Sequence, residues 1–317
     1  MIIVILGYTG LIGNNILDNL VKNKSFNLIC VGRNIKNKPY KNPKIQYYKW
    51  NFNTFKKSNL LFLKKADIII NCVGKTNNDT SNFENVNFIF VKKLLEYINS
   101  YKFRVRLIHL GSISVYGTSK NYFGQHKLIS ENSAIRANDL YSKSKLKGDL
   151  LIQNVIKKKL NINFSYTILR ISNVFGGPKK TNLFRFILFT LKYGFWMKCF
   201  DDILFNFINV KDISQAVALL ISKPKVSKNK IYIVSDDCKQ RQVYENYQNF
   251  YKKKIIKIQI SKNLIKFLIN FIPFSKKKIN FMLLISNRVS YSNKKIKNEL
   301  NFKPKFSLHQ KMKCLNE

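Results

Sequence analysis

The pattern Tyr141-Ser142-Lys143-Ser144-Lys145 has a clear chemical meaning. On a helix, Tyr141 and Lys145 lie four apart and share a face. A phenol titrates near pH 10 in water, too high to exchange protons at neutral pH, and an ammonium held beside it favours the phenolate. In so lysine-rich a chain, a surface tyrosine near a lysine would look the same. Upstream, Leu110-Gly111-Ser112-Ile113-Ser114-Val115-Tyr116-Gly117 follows an apolar run. A serine at a strand end can hydrogen-bond a substrate oxygen and stabilise charge developing there, or it can serve the turn alone. The third group is N-terminal, where an apolar run enters Gly7-Tyr8-Thr9-Gly10-Leu11-Ile12-Gly13. Gly7 suits a tight turn, Gly10 lets the backbone approach a pyrophosphate, and Gly13 lets the following helix pack closely on the sheet. The spacing is GxxGxxG, not GxGxxG.

These residues need a scaffold, and the pattern supplies one. Apolar runs over 2–6, 27–31, 45–48, 67–72, 106–110 and 164–171 read as strands, with helical patterns over 11–22, 85–100 and 139–158 between them. Strands alternating with helices imply right-handed βαβ units and an α/β fold, a Rossmann-type doubly wound parallel sheet. Such sheets bind ligands at the carboxyl ends of their strands, where each motif above falls. Beyond Pro178 the pattern is less regular: a helix over 181–196, strands over 207–210 and 230–234, a helix over 212–222, and an apolar stretch over 264–274 that reads as a packed helix. The expected division is a dinucleotide-binding unit over 1–175 and a smaller α/β substrate region over 176–317, with 205–222 returning to the first unit.

Composition narrows the class. The 57 Lys+Arg against 16 Asp+Glu give a formal net charge of +41, yet only eight of those cations are arginine. Lys, Asn, Ile, Phe and Tyr share A/T-rich codons, so drift of surface positions to lysine accounts for the charge. No ribonucleoprotein aromatic motif, zinc-finger spacing or GXXG clamp is present, and no nucleic-acid partner is expected. The charge still favours anionic ligands. Five cysteines (Cys30, Cys72, Cys199, Cys238, Cys314), odd in number and never in CxxC spacing, point to a reduced, cytoplasmic protein without disulfides or metal. No apolar run reaches the roughly 18 residues of a membrane span, and nothing reads as a signal peptide.

Taken together, the motifs resemble the extended short-chain dehydrogenase/reductase superfamily, the nucleotide-sugar epimerase, dehydratase and reductase group. Its GxxGxxG matches Gly7, Gly10 and Gly13; its YxxxK matches Tyr141 and Lys145; its SxxVYG matches Ser112 through Gly117. Its Val-Asn matches Val86-Asn87, and its LRxxNVYGP is similar to Leu169 through Gly176, with Pro178 one place late. Its FxHVxD is similar to Phe207 through Asp212, and its closing motif to Ser292 through Leu308, so the resemblance covers nearly the whole chain.

The resemblance implies roles. Tyr141 would exchange a proton with a sugar oxygen while hydride moves between carbon and nicotinamide. Lys145 would lower the Tyr141 pKa and hold the nicotinamide ribose, Ser112 would orient the same oxygen, and Asn87 would support the lysine. The cofactor would lie along Gly7, Thr9, Gly10, Leu11, Ile12, Gly13, Arg33, Asn51, Phe52, Cys72, Val73, Gly74, Tyr141, Lys145 and Asn173. Substrate would meet Ser112, Ser114, Asn173, Lys179 and Arg185. Many members carry an acidic residue after the second strand; here Arg33 stands there, with Lys36 and Lys38 following, which suits a 2′-phosphate and favours NADP(H) over NAD(H). Arg33 stacking on adenine is the alternative. Asn209 and Lys211 replace the usual residues of FxHVxD. No acid adjoins Ser112, which argues against a dehydratase. The expected function is NADPH reduction of a 4-keto nucleotide-diphosphate sugar, with a 4-epimerase holding NAD as the alternative. A protein that binds NADP(H) without turnover is the alternative of another class. A homodimer through the helices of Asn87 and Tyr141 is implied by the resemblance only.

Overall fold

Runs of isoleucine, valine and leucine that are buried along most of their length form parallel strands covered on both faces, and such runs make most of the seven-stranded central layer here, its edge strand over 45–49 being largely exposed. The computed structural model describes residues 1–35, 38–52, 60–75, 83–117, 124–177, 182–264, 267 and 285–310. In chain order the first half runs β1 (Ile2–Leu6), α1 (Leu11–Leu20), β2 (Asn27–Gly32), β3 (Ile45–Lys49), α2 (Leu61–Lys64), β4 (Ile68–Asn71), α3 (Phe90–Ser100) and β5 (Val105–Ser112). There follow β6 (Lys127–Ile129), α4 (Leu140–Lys157), β7 (Phe164–Ile171), β8 (Asn173–Phe175), α5 (Asn182–Lys192), β9 (Phe195–Lys198), β10 (Leu204–Asn209) and α6 (Val210–Ser222). The last part holds α7 (Pro224–Ser227), β11 (Lys230–Val234), β12 (Asp236–Lys239), α8 (Gln240–Tyr251), β13 (Ile256–Gln259), β14 (Val289–Tyr291) and a final helix over Lys294–Leu300.

The main sheet has the order β11-β7-β5-β4-β1-β2-β3, and every neighbouring pair is parallel. The order reverses direction between β1 and β4, the crevice where such sheets take ligands. One face is covered by α1 and α6, whose Ile16, Leu17, Ile213, Val217 and Leu220 share a core cluster with Ile3, Ile5 and Ile70. On the other face lie α3 and α4, with Val91, Leu94, Ile98, Ile152 and Val155 packed against Val4, Ile69 and Leu107. Buried Arg106 pins β5 to its neighbours, donating to the Leu220 carbonyl at 2.7 Å, the Ser227 hydroxyl at 2.6 Å and the Thr167 hydroxyl at 3.0 Å.

Beyond residue 176 the chain feeds two places. α6 and β11 complete the main layers, while α5, β9, β10, β12 and α8 surround a second core of Phe175, Phe184, Trp196, Phe207 and Tyr244. The two parts are laced together. Asn209 caps α6 by accepting from the Lys211 N–H at 2.9 Å. Buried Asp212 accepts the N–H groups of Lys305 at 2.8 Å and Phe306 at 3.1 Å.

The helix expected over 181–196 is shorter. α5 ends at Lys192, Gly194 takes a positive φ of +70°, and Phe195–Lys198 pairs with β13 as a strand. Ser112, expected after the strand, is its last residue. The helix expected over 85–100 begins as a π-helical turn, Asn85–Ile89, before it becomes α3. Pro178, Lys179, Lys180, Lys36 and most of the stretch 264–274 lie outside the described residues. Among the described residues no helix is long and apolar enough to cross a membrane, and no group of three His, Cys, Asp or Glu side chains is arranged to hold a metal. The exposed side of α3 and α4 presents Lys92, Lys93, Glu96, Lys143, Lys147 and Leu150.

Gly13 is the tightest point of the phosphate turn. A Cβ there would sit 2.3 Å from the Gly7 carbonyl oxygen and 2.9 Å from the Tyr8 Cα, both backbone, whereas one on Gly10 would meet only the Gly7 oxygen at 3.3 Å. Gly13→Ala should therefore cost at least about 1–3 kcal/mol, and Gly10→Ala clearly less. Thermal denaturation of both variants checks this, and equal melting temperatures would contradict the packing argument.

Candidate active site

Five strand ends and one helix face converge. At the first, Gly7 leaves β1 with φ +82°, its Cα facing the Cys72 carbonyl across β4. Gly10 then starts α1 in an extended conformation with no side-chain cap. The first-turn N–H groups of Leu11, Ile12 and Gly13 have no partner within the helix and stand as anion donors at its positive end. Gly13 packs on the Gly7 turn itself, a closer constraint than the helix-on-sheet packing read from sequence. Thr9 is exposed beside the turn. The turn at the end of β2 is held from below, since a Cβ on Gly32 would meet the buried Tyr8 ring at 3.0 Å. Arg33 and Lys38 are exposed beyond it.

At the end of β3, Asn51 is exposed but Phe52 is 8% exposed. The Phe52 ring contacts Trp50 at 5.4 Å and Phe90 at 5.2 Å, so its side chain serves the core and leaves only its backbone for a ligand. At the end of β4, Cys72, Val73 and Gly74 pass beside Lys145: a Cβ on Gly74 would lie 3.2 Å from the Lys145 Nζ. Burial pushes the Cys72 thiol up to about 12, so it is neutral.

α4 brings the reactive groups. Its start is fixed by a capping box in which the Asp139 carboxylate accepts from the Ser142 N–H at 2.8 Å and Ser142 Oγ accepts from the Asp139 N–H at 3.2 Å. One stripe of the helix carries Tyr141, Lys145 and Asp149 at successive turns, the last two buried. Lys145 Nζ donates to the Leu110 carbonyl at 2.9 Å. Burial brings its pKa down to about 8 against the pull of Asp149. Tyr141 packs edge-on against Phe83, ring centroids 5.7 Å apart. Its phenol is raised above the usual range by burial, and a hydrogen bond from Ser112 opposes that. The Lys145 ammonium donates to the Leu110 carbonyl, and the hydrogen bond from Ser112 acts to lower the phenol. At neutral pH Tyr141 therefore carries its proton.

Ser112 is organised for that contact. Its oxygen accepts from the Ser114 N–H at 3.2 Å and the Ser114 hydroxyl at 2.9 Å. With both acceptor positions filled, its own hydrogen is free to be donated toward Tyr141. Asn87 sits in the π-helical turn and acts on α4 through another residue than expected. Its amide donates to Ser144 Oγ at 3.1 Å and its oxygen accepts the Lys75 N–H at 3.0 Å, fixing the Gly74 strand end against α4. Gly148 allows this approach, for a Cβ there would be 2.9 Å from the Asn87 carbonyl oxygen. π-turns of this kind are frequent at functional sites.

The substrate side is less gathered. Asn173 is half-buried and donates to the Asn206 carbonyl at 3.0 Å. Arg185 is exposed on α5, and Lys179 lies outside the described residues. The sequence analysis assigns no role to Asp149, nor to Arg170 within the segment similar to LRxxNVYGP. Their signal was available: a charged residue on the buried stripe of α4, and an arginine inside the apolar run of β7.

A cradle of glycines against a helix N-terminus, with a buried ammonium at the far end, fits a dinucleotide. The sequence matches the model of the NAD dependent epimerase/dehydratase family over residues 3–235. No curated protein matches it. Among solved structures the fold is similar to UDP-glucuronic acid 4-epimerase from Bacillus cereus in complex with NAD, at 16% identity and TM-score 0.73, covering 99% of this chain and 94% of that one. It is similar to dTDP-glucose 4,6-dehydratase from Bacillus anthracis in complex with NAD, at 17% identity and TM-score 0.71, over 100% and 96%. It is also similar to RMD from Pseudomonas aeruginosa complexed with NADPH, at 15% identity and TM-score 0.69, over 99% and 98%.

Holding Lys145 charged inside the fold costs stability. Its pKa is 10.5 unfolded and about 8 folded, so the unfolded chain binds more protons between those values and stability rises with pH across that window. Below pH 8 the full cost, about 3 kcal/mol, applies. Lys145→Met should therefore be more stable than the parent at pH 7, with the gap narrowing by pH 10. Urea midpoints at the two pH values check this, and a less stable variant at pH 7 would contradict it.

Proposed function

We propose, from the premise that the chain belongs to the NAD dependent epimerase/dehydratase family, that it reduces a 4-keto nucleotide-diphosphate sugar with NADPH. The observation that carries this reading is exposed Arg33 at the end of β2, where a 2′-phosphate would lie, with no acidic residue in the turn to repel it. A guanidinium pairs with phosphate oxygens through two parallel hydrogen bonds. A reductase must exchange its coenzyme at each turnover, which agrees with a coenzyme held in part by surface charge.

When bound, the nicotinamide would supply the hydride that reduces the keto carbon. Tyr141, protonated at neutral pH, gives its proton to the carbonyl oxygen, and Ser112 donates to that same oxygen and stabilises the charge developing on it. Lys145 would hold the nicotinamide ribose, and the N–H groups at the start of α1 would hold the pyrophosphate. Asn51, the Phe52 backbone and Cys72 through Gly74 line the dinucleotide between them. Asn173, Ser114, Arg185 and Lys179 are assigned to the substrate, with the cations meeting its diphosphate. The chain would act free of the membrane in the cytoplasm.

The test is the cofactor content of the purified protein, followed by fluorescence titration of the emptied protein with NADPH and NADH. A preference for NADPH of tenfold or more, about 1.4 kcal/mol, is expected, and Arg33→Asp should abolish it. Tight, co-purifying NAD with no preference for the 2′-phosphate would overturn the reductase reading and favour a 4-epimerase.

A further inference from the structure

One turn along α4 from Lys145 begins a chain of buried polar groups with no part in the steps above. Asp149 is fully buried one turn beyond Lys145. Its Oδ2 accepts from Arg170 Nε at 3.0 Å, and Arg170 Nη1 donates to the Tyr116 hydroxyl at 2.7 Å. The other carboxylate oxygen, Oδ1, has no hydrogen-bond partner. It lies 3.9 Å from His109 Nε2, also without a partner. Because the Asn71 oxygen already accepts from the Val73 N–H at 3.0 Å, its amide donates to His109 Nδ1 at 3.1 Å. The ring proton therefore sits on Nε2, facing Asp149.

We propose that Asp149 is a positioning residue that keeps the buried Lys145 ammonium charged, with Arg170 holding the carboxylate in place and limiting its pull. The groups facing Lys145 are Tyr141 and Asp149 on α4, Cys72 after β4, and His109 and the Leu110 carbonyl on β5. Those facing Asp149 are Lys145, Tyr141, His109, Arg170, Tyr116 and Tyr166. Burial leaves most of them neutral: the His109 pKa falls well below 6.5, the Cys72 thiol rises to about 12, and the Tyr116, Tyr141 and Tyr166 phenols are all raised. Burial raises the Asp149 carboxyl too, and the Arg170 guanidinium at 3.0 Å and the Lys145 ammonium oppose that, so the charges in the group are Lys145, Asp149 and Arg170. Asp149 is the one anion of the three, and it is the strongest influence opposing the burial of Lys145. A second cation sharing the anion explains how the site holds a lysine near its titration point. Asp149 alone would fix the charge, and Arg170 alone would expel it.

This rests on the proposed function only in taking Lys145 as the cofactor's ribose partner, so its test does not use turnover or cofactor binding. Lysine labelled with 13C at the ε-carbon is titrated by NMR, the Lys145 signal being assigned by its loss in Lys145→Arg. Asp149→Asn should lower the Lys145 midpoint by about one unit or more, a tenfold loss of charged form in the affected range. Arg170→Gln should leave it in place or raise it. A purely structural ion pair would make the two variants move it together. The double variant Asp149→Asn/Arg170→Gln removes both members of the ion pair, so that no guanidinium is left facing an amide, and serves if a single variant does not fold; its midpoint should lie below the parent's, by less than the Asp149→Asn shift. A midpoint unchanged in Asp149→Asn or in the double variant, or lowered equally by both single changes, would overturn the proposal.

Discussion

One buried ammonium imposes much of the local design. Moving a lysine out of water disfavours its charge, and this fold does so between two sheet strands and a helix. It supplies one carbonyl at 2.9 Å, a carboxylate one turn away, and otherwise neutral neighbours. The space for that arrangement comes from glycines far apart in sequence. Gly74 leaves room for the ammonium, Gly111 for the Asp149 carboxylate, whose Oδ1 a Cβ would meet at 3.1 Å, and Gly148 for the Asn87 backbone. At Gly148 the approach is too close for a methyl group, and at Gly74 and Gly111 a methyl group would make the charged side chain give way by a few tenths of an ångström.

The other end of the site is built on the opposite principle, with neutral backbone where a charge is to be received. The turn at Gly7 and the uncapped start of α1 offer N–H groups and a helix dipole. The position of α1 is set from below by α6, which is tied by Asp212 to the segment at 305–306. The later part of the chain thus supports the dinucleotide cradle as well as its own core. A formal net charge of +41 surrounds the site. Whatever its origin, such a field speeds the approach of ligands carrying phosphate groups.

The parts legible in the sequence were those governed by short-range pattern. β1, β5 and β7 are apolar runs buried along nearly their whole length, and α4 announces itself through its helical stripe and capping aspartate. What was missed depends on tertiary partners. Phe52 stands in the expected cofactor position, but its ring joins the core through Trp50 and Phe90. The end of the expected helix over 181–196 becomes a strand because β13, some sixty residues later, pairs with it. The π-turn at Asn85–Ile89 carries no local signature, since the contact that uses it is with Ser144 on another helix. Asp149 and Arg170 were readable as charges in apolar settings, and only the fold reveals that they face each other.

The central claim is that the Tyr141–Lys145 face of α4 divides its work, the lysine holding the cofactor and the tyrosine moving the proton. The most direct measurement is the dissociation constant of the preferred nicotinamide cofactor in Lys145→Met and in Tyr141→Phe, side by side. The account predicts that the lysine variant binds at least tenfold more weakly, about 1.4 kcal/mol, while the tyrosine variant stays within twofold of the parent. Undiminished binding by Lys145→Met would contradict it.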